Sequence, residues 1–547
     1  MKYILGLMLV LSLSFGLVYQ SFRYQSTAGL FEDDYDLLFD PARICEIEGS
    51  RVWTSLSNLV TGNENLFSNG SVPYILVGGK TNFGKFYPGM VYDHSVDKTA
   101  LGTGLFDPNG NEIYGDGKLT TIDWDDTDNN GIYDRRTTET ETRSAYEQIK
   151  DNNVFLGVGY KLDNLRLGLG YLRVDSKSII TDPLNNFTYD YTVEDLNTNS
   201  FTLINRAKFS GDDNFNYGEN DILFSIWKDM EKMSLGLLAG FGLLNYGNKA
   251  NIIGDSTIYT DPVDTTRFYT RANILDSSNQ KQSGNIILVN LRAFYNYNEN
   301  AQGRFYLGFF TQSLGYGDDA IDHYYKTREN IMAQYQRDTI NALTYYDGSA
   351  NIKGLQIGTK QLFKVSDRLR IGFGVMITGT ATFDSTVAKD TSVTRTVYDD
   401  NDGISFDPDD YVRTIWSSET WMTKITGTTK EITLPVGVEF NLFPQLAMRL
   451  GAQHTYTMDD YTTVTELIQY EPQRTRTVDG TGLVTEDLID PNPAPVGSDE
   501  TAKVNTPRTD YFYGIGWQVM DNLQIDIMGF SELTKLDNWR ISATFKF

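Results

Sequence analysis

The run Asp126-Thr127-Asp128-Asn129-Asn130-Gly131-Ile132-Tyr133-Asp134 holds the residue types that bind a hard cation. Calcium takes oxygen ligands from alternate positions of a tight loop, with a glycine at the sixth position to permit the turn. Asp126, Asp128 and Asn130 supply side-chain oxygens at positions one, three and five. Gly131 is the sixth residue, the Ile132 carbonyl is a further candidate ligand, and Asp134 is the acid at position nine. Position twelve is Thr137 rather than a bidentate glutamate, and Glu139 follows two residues later. The run therefore reads either as an isolated Ca²⁺ loop or as a solvated acidic turn, since Asp, Asn and Gly are ordinary turn formers. Asp107-Pro108-Asn109-Gly110-Asn111 and Asp400-Asn401-Asp402-Gly403 are poorer versions of the same pattern.

A second set of candidates is basic. Arg166, Arg304, Arg370 and Arg449 each come a few residues after a short turn, and Lys546 is the penultimate residue. If these positions share the inner face of a barrel, they form a basic ring near one mouth of the lumen. Arg292 and Arg540 lie farther along their strands, and Glu439 and Asp526 supply inward acids. Such a lining favours anionic solutes through its field. The alternative is structural, with the cations paired to carboxylates of neighbouring strands. A one-residue slip in register would turn the whole set outward.

Catalytic and cofactor chemistry has little support. His94, His323 and His454 are far apart, and Asp93-His94 and Asp322-His323 sit in acidic stretches where such neighbours arise by chance. One Cys forms no internal disulfide, and no Cys/His cluster has zinc-ligand spacing. The reading is no enzyme and no cofactor beyond the Ca²⁺ of the loop above. With 72 acids against 47 bases the chain carries a net charge of −25. A duplex-DNA binder needs the opposite balance.

The elements that would position these residues are strands. Trp539, Ile541, Ala543, Phe545 and Phe547 fall on one face of the last segment, and Arg540, Ser542, Thr544 and Lys546 on the other. Successive strand side chains point to opposite faces, so one wall is apolar. The pattern recurs after Asp163-Asn164 with Leu165, Leu167, Leu169 and Tyr171. It recurs after Asp367 with Leu369, Ile371, Phe373, Val375 and Ile377, and again over Ile432 to Phe440, Leu446 to Leu450 and Tyr511 to Val519. The opposite face is Gly, Arg, Gln or Thr, too polar and too small for a tightly filled core. An apolar outside with a polar inside is what a lipid-facing barrel requires. Tyr171, Tyr295, Tyr297, Tyr456, Tyr511 and Trp539 lie toward strand ends on the apolar side, as a girdle at the headgroup level would.

Seven short turns are expected, near Thr81 to Gly84, Leu162 to Asn164, Asp229 to Lys232, Asn298 to Gln302, Val365 to Arg368, Leu442 to Pro444 and Met520 to Asn522. Between them run long polar stretches at about 95–151, 177–218, 249–283, 317–351, 384–428 and 460–508. Short turns at one end and long loops at the other match outer-membrane barrels. Seven hairpins, a first strand over Gly49 to Leu59 and a last over Asn538 to Phe547 make an all-β closed antiparallel transmembrane barrel of about 16 strands, within 14–18. Phe201 to Phe209 is also strand-like and is assigned to an external loop.

Ahead of the barrel, Lys2 and the apolar run Ile4 to Val18 have the form of a signal peptide and are short for a spanning helix. The leader is taken as 1–28, with Gln25-Ser26-Thr27-Ala28 as its end. Cys45 is too distant from the apolar run to be a lipid-attachment site. Residues 29–48 are taken as a periplasmic segment, either a plain leader into the barrel or a short helix or small plug, and 49–547 as the barrel. Asp40 followed by Pro41 suits a helix start, so 41–47 is expected as a short helix lying in or under the barrel.

The ending Asn538 to Phe547 resembles the terminal strand of bacterial outer-membrane barrels, and that resemblance implies that the barrel-assembly machinery reads the terminal aromatic. Asp40-Pro41-Ala42 resembles the Asn-Pro-Ala element of the long-chain fatty-acid channel family, with Asp40 in place of Asn. The expected strand number exceeds that family's 14. The expected function is a passive outer-membrane channel for small solutes, hydrophobic or polar, in contact with the lipid bilayer and not with nucleic acid. The competing expectation is a structural or adhesive surface barrel whose loops bind partners or calcium. The sequence shows no separate domain of the size that serves as a plug in energy-coupled importers.

Overall fold

Period-2 sequences with one apolar face cannot bury that face singly, so they pair. In the computed structural model they pair into a ring. The structure describes residues 20–57, 74–100, 117–182, 186–198, 200–259, 269–317, 320–331, 334–402, 404, 407–488, 494–530 and 540–547. Among them are strands β1 (Arg51–Ser57), β2 (Tyr74–Lys80), β3 (Phe86–Ala100), β4 (Gly117–Asp125), β5 (Arg135–Arg143), β6 (Tyr146–Leu162), β7 (Leu165–Thr181) and β8 (Phe187–Asp195). Next come β9 (Ser200–Ser210), β10 (Asp213–Asp229), β11 (Met233–Tyr259), β12 (Tyr269–Asn298), β13 (Ala301–Tyr316), β14 (Ile321–Ile331) and β15 (Tyr335–Lys364). The last are β16 (Leu369–Asp399), β17 (Tyr411–Phe443), β18 (Leu446–Asp479), β19 (Val484–Leu488), β20 (Ser498–Met520), β21 (Leu523–Phe530) and β22 (Arg540–Lys546).

The ring runs β1-β2-β3-β6-β7-β10-β11-β12-β13-β15-β16-β17-β18-β20-β21-β22 and closes where β22 pairs antiparallel with β1, Arg51 opposite Lys546. That is sixteen strands, all antiparallel to their ring neighbours. The other six lie outside it. β4, β5, β8 and β9 form a ribbon that joins the far end of β11, β14 fills between β12 and β15, and β19 flanks β18. The strand-like Phe201 to Phe209 is thus a strand of the external ribbon.

The long polar stretches differ from the loops expected of them. β17 is 33 residues long and β18 is 34, where about 10 tilted residues cross a bilayer. Their outer parts are Thr-rich and polar on both faces. Polarity makes such a stretch look like loop, but β-branched residues favour extended backbone, and a paired ribbon satisfies its backbone groups without an apolar wall.

The outward face carries the apolar band. Leu169, Ile222, Leu307, Leu355, Phe373, Val436, Leu450 and Trp517 are all exposed. The best-buried apolar side chains are elsewhere. Leu30, Leu38, Ala42, Ile44 and Ile47 are almost fully buried, and all belong to the segment before β1. This segment holds helix α1 (Phe22–Ser26), helix α2 (Asp34–Leu37) and a 3-10 turn, Arg43–Glu46. Ser21 caps α1 by accepting from the Tyr24 amide, and Asp33 and Asp36 form a capping box on α2. The helix expected over 41–47 is shorter. Asp40 does not cap it, because its carboxylate is drawn to the barrel wall.

Candidate functional site

Residues 20–48 fill the short-turn half of the lumen as a plug. Leu38, Ile44 and Ile47 join Trp53, Leu76, Val91, Phe155 and Leu223 of the wall in one apolar cluster. Glycine lets the plug approach. A methyl group at Gly168 would fall on the Pro41 carbonyl carbon and the Ala42 amide nitrogen. One at Gly451 would lie 2.6 Å from the Ala28 nitrogen, and one at Gly159 would lie 2.6 Å from Cys45 Sγ. The inward glycines that look like a loosely lined lumen are the seat of the plug.

Polar contacts hold it there. The Ala42 amide donates to Ser225 Oγ at 2.6 Å. Trp227 Nε1 donates to Asp40 Oδ2 at 2.7 Å, and Arg292 donates to the same oxygen at 3.2 Å. Glu32 pairs with Arg304 at 2.7 Å and with Arg43 at 2.9 Å. Arg166 pairs with Glu46 of the plug and, at 2.6 Å, with Asp229. Lys360 donates to the Tyr24 hydroxyl and the Gly29 carbonyl, each at 2.7 Å, and Arg51 reaches Asp34 at 3.1 Å. In the plug itself, burial opposes ionisation of Glu32, but Arg304 and Arg43 outweigh it and hold the carboxyl well below its ordinary value.

Several of the basic residues expected to line the lumen meet residues 20–48. Arg166, Arg292 and Arg304 meet plug carboxylates. Glu439 gathers three arginines: Arg23 of the plug through two bonds of 2.8 Å, Arg449 at 3.1 Å and Arg370 at 3.3 Å. Arg449 also pairs with Asp526. Lys546 donates to Gln518 at 3.4 Å, apart from these clusters. Arg540 is in β22, but its side chain lies outside the described residues, as do Trp539, Gly403 and Asp107 to Asn111.

Above the plug lies a chamber of about 360 Å³, bordered by Tyr24, Phe39, Asp40 and Arg43 below and by both acidic and leucine side chains of the wall. Outside the ring, the β4–β5 turn brings the carboxylate oxygens of Asp126, Asp128 and Asp134 within 4.8 Å of one another. Asn129 and Gly131 take left-handed backbone there, as a tight loop needs. The loop satisfies its own acids. Asp126 accepts from the Asn130 and Gly131 amides at 3.1 and 2.7 Å, Asp128 from the Asn130 amide at 3.2 Å, and Asp134 from Thr127 at 3.0 Å. The Asn130 side-chain oxygen accepts from the Ile132 amide at 2.8 Å. Hydrogen bonds from Thr127 hold the Asp134 carboxyl below its ordinary value. His94, His323 and His454 lie on separate strands and form no group with one another.

The chain is a sixteen-stranded barrel plugged by its own N-terminal segment. No family model and no curated protein matches it. Solved structures do resemble it. The toluene transporter TbuX of Ralstonia pickettii is 10% identical, with 97% of this chain and 100% of that one covered and a TM-score of 0.33. The monoaromatic hydrocarbon channel TodX, as its ΔS2 mutant, is 10% identical over 97% and 99%, with a TM-score of 0.33. The ferric enterobactin receptor PfeA of Pseudomonas aeruginosa, as a point mutant in complex with enterobactin, is 8% identical over 91% and 81%, with a TM-score of 0.29. Likenesses of this size carry no weight for function, and the architecture rests on the strand ring itself.

Proposed function

We propose that the protein is an outer-membrane pore for the passive entry of small solutes, with the plug as its constriction. The observation that supports this best is a closed ring with an exposed apolar band outside and a chamber inside. The band needs acyl chains against it, because so much contiguous apolar surface is costly in water. Leucines on one wall of the chamber favour solutes with a hydrophobic part. Residues 20–28, which the leader expectation includes, are folded against the wall, with Ser26 and Thr27 fully buried. We therefore place the end of the leader before Gln20.

Deletion of residues 20–48, after refolding into planar bilayers, tests the proposal. The intact protein is expected to show small conductance steps and the deleted form large, steady ones. No conductance from either form, with the barrel shown to be folded, sinks the pore reading. The outer reach of β17 and β18 favours a second reading, a surface barrel that displays ribbons to partners. Normal solute uptake by cells lacking the protein, together with lost surface binding, would support that reading instead.

A further inference from the structure

The chamber above the plug has two chemically different sides. Leu172, Leu223, Leu238 and Leu288, from the four adjacent strands β7, β10, β11 and β12, make one wall apolar. Alternate residues of β10 face inward, so Glu219 and Asp221 stand in the same row as Leu223. Both acids are buried, each 3% exposed. The Tyr217 hydroxyl donates to Glu219. The Asp221 oxygen that lies against Gly242 has no donor, and neither has one oxygen of Asp40 on the floor of the chamber. A buried carboxylate oxygen without a donor is costly, and a ligand that donates to it removes that cost.

The cations of the same lining are committed. Arg292 serves Asp40, Arg43 serves Glu32 and Glu46, and Lys360 serves Tyr24 and Gly29. Among the described lining residues the buried polar atoms without a partner are thus both carboxylate oxygens, and that of Asp221 belongs to the strand that carries Leu223. An anionic amphiphile would find its leucine wall bordered by two buried acids. A cationic one would find both halves matched.

We propose that the chamber binds small amines with an apolar body. The ammonium donates to the Glu219–Asp221 pair, and the hydrocarbon lies on the leucines. Passage of such amines through the protein rests on the pore reading above; binding does not.

The test uses the whole mature barrel in zwitterionic-lipid nanodiscs, titrated calorimetrically with 2-phenylethylammonium, 2-phenylethanol and 3-phenylpropionate. These probes share a phenyl body and differ in charge. The ammonium is expected to bind tightest, by about tenfold over the alcohol, since charge-assisted hydrogen bonds in a dry site exceed neutral ones. In E219Q/D221N, which keeps side-chain volume, that preference is expected to vanish while the alcohol binds as before. D221N alone serves if the double variant does not fold. Binding of phenylpropionate or phenylethanol as tight as the ammonium overturns the proposal, and so does a preference that survives in a folded variant. Amine preference without conductance upholds the site and sinks the pore. Conductance without amine preference does the reverse.

Discussion

Gly168→Val puts two methyl groups where the plug backbone passes. The added Cβ alone would coincide with Pro41 and Ala42, so the plug must withdraw from that wall. Withdrawal breaks the Ala42–Ser225 bond, about 1 kcal/mol, and the Trp227–Asp40 bond to a charged acceptor, about 1.5–3 kcal/mol. Docking should therefore weaken by about 2.5–4 kcal/mol, or a factor on the order of 10² to 10³. Cys45 provides the assay. It is the single cysteine, it belongs to the plug, and it is buried against Gly159. If maleimide reacts only with the undocked plug, and undocking is fast, the labelling rate follows the undocked population. The variant should label on the order of 10² times faster than the parent, and its conductance should rise with it. Gly379→Val is the control, because nothing lies within 4 Å of a Cβ added there. A folded Gly168→Val barrel that labels within about twofold of the parent would refute the argument, because docking of that strength cannot be lost without exposing the thiol.

Other outcomes follow from the same contacts. Glu439→Gln leaves Arg449 and Arg23 without their shared carboxylate in a mostly buried site, and should lower the thermal stability of the barrel by about 3–5 kcal/mol as well as loosen the plug. Trp227→Phe removes the donor to Asp40 and should raise the Cys45 labelling rate by about ten- to a hundredfold. Docking should also depend on pH. Burial pushes the Asp36 carboxyl up to about 7, against hydrogen bonds from Ser21, so its contribution is complete below its ordinary 3.8 and lost as pH rises through about 7. Glu32 acts oppositely: its contribution is present above its ordinary 4.5 and lost only in stronger acid. Hydrogen exchange of the plug amides, corrected for intrinsic rates, should be slowest at about pH 4 to 4.5 and quicken progressively toward about pH 7, and a profile that keeps tightening between about pH 5 and 7 would contradict the assignment.

The wall was legible in the sequence because a barrel repeats one simple demand. Each ring strand needs an apolar outer row, and rows such as Leu369 to Ile377 state it residue by residue. Short turns after each strand pair then set the parity, and the ring of sixteen follows. The plug was less legible. Its helices are five and four residues long, too short to show helical periodicity, and their side chains are matched to a concave wall rather than to each other. One signal was available. Gly159, Gly168 and Gly451 fall on the inner face at the same end of the barrel as the basic residues. A row of missing side chains beside a row of cations describes a surface made to receive a close-packed, acidic segment. Residues 29–48 include Glu32, Asp33, Asp34, Asp36, Asp40, Glu46 and Glu48.

That pairing changes what the lumen charges mean. Read alone, Arg166, Arg292, Arg304 and Arg449 would set a positive field for anionic solutes. In the folded protein each has a carboxylate within salt-bridge distance, three of them on the plug. A field that is neutralised at contact distance has little left to act on a passing solute, because the opposed charges cancel beyond their own separation. Selectivity must then come from groups the plug leaves uncovered. On the wall above it those are the leucines and the acids of β10, of the opposite sign to the ring. Removing the plug should therefore do more than widen the pore. It should expose the arginines and turn the lumen toward anions, so reversal potentials across a KCl gradient should shift in the anion-selective direction when residues 20–48 are deleted. An enlarged pore whose ion preference stays put would mean that the arginines are neutralised by the wall itself, as Arg449 is by Glu439 and Asp526.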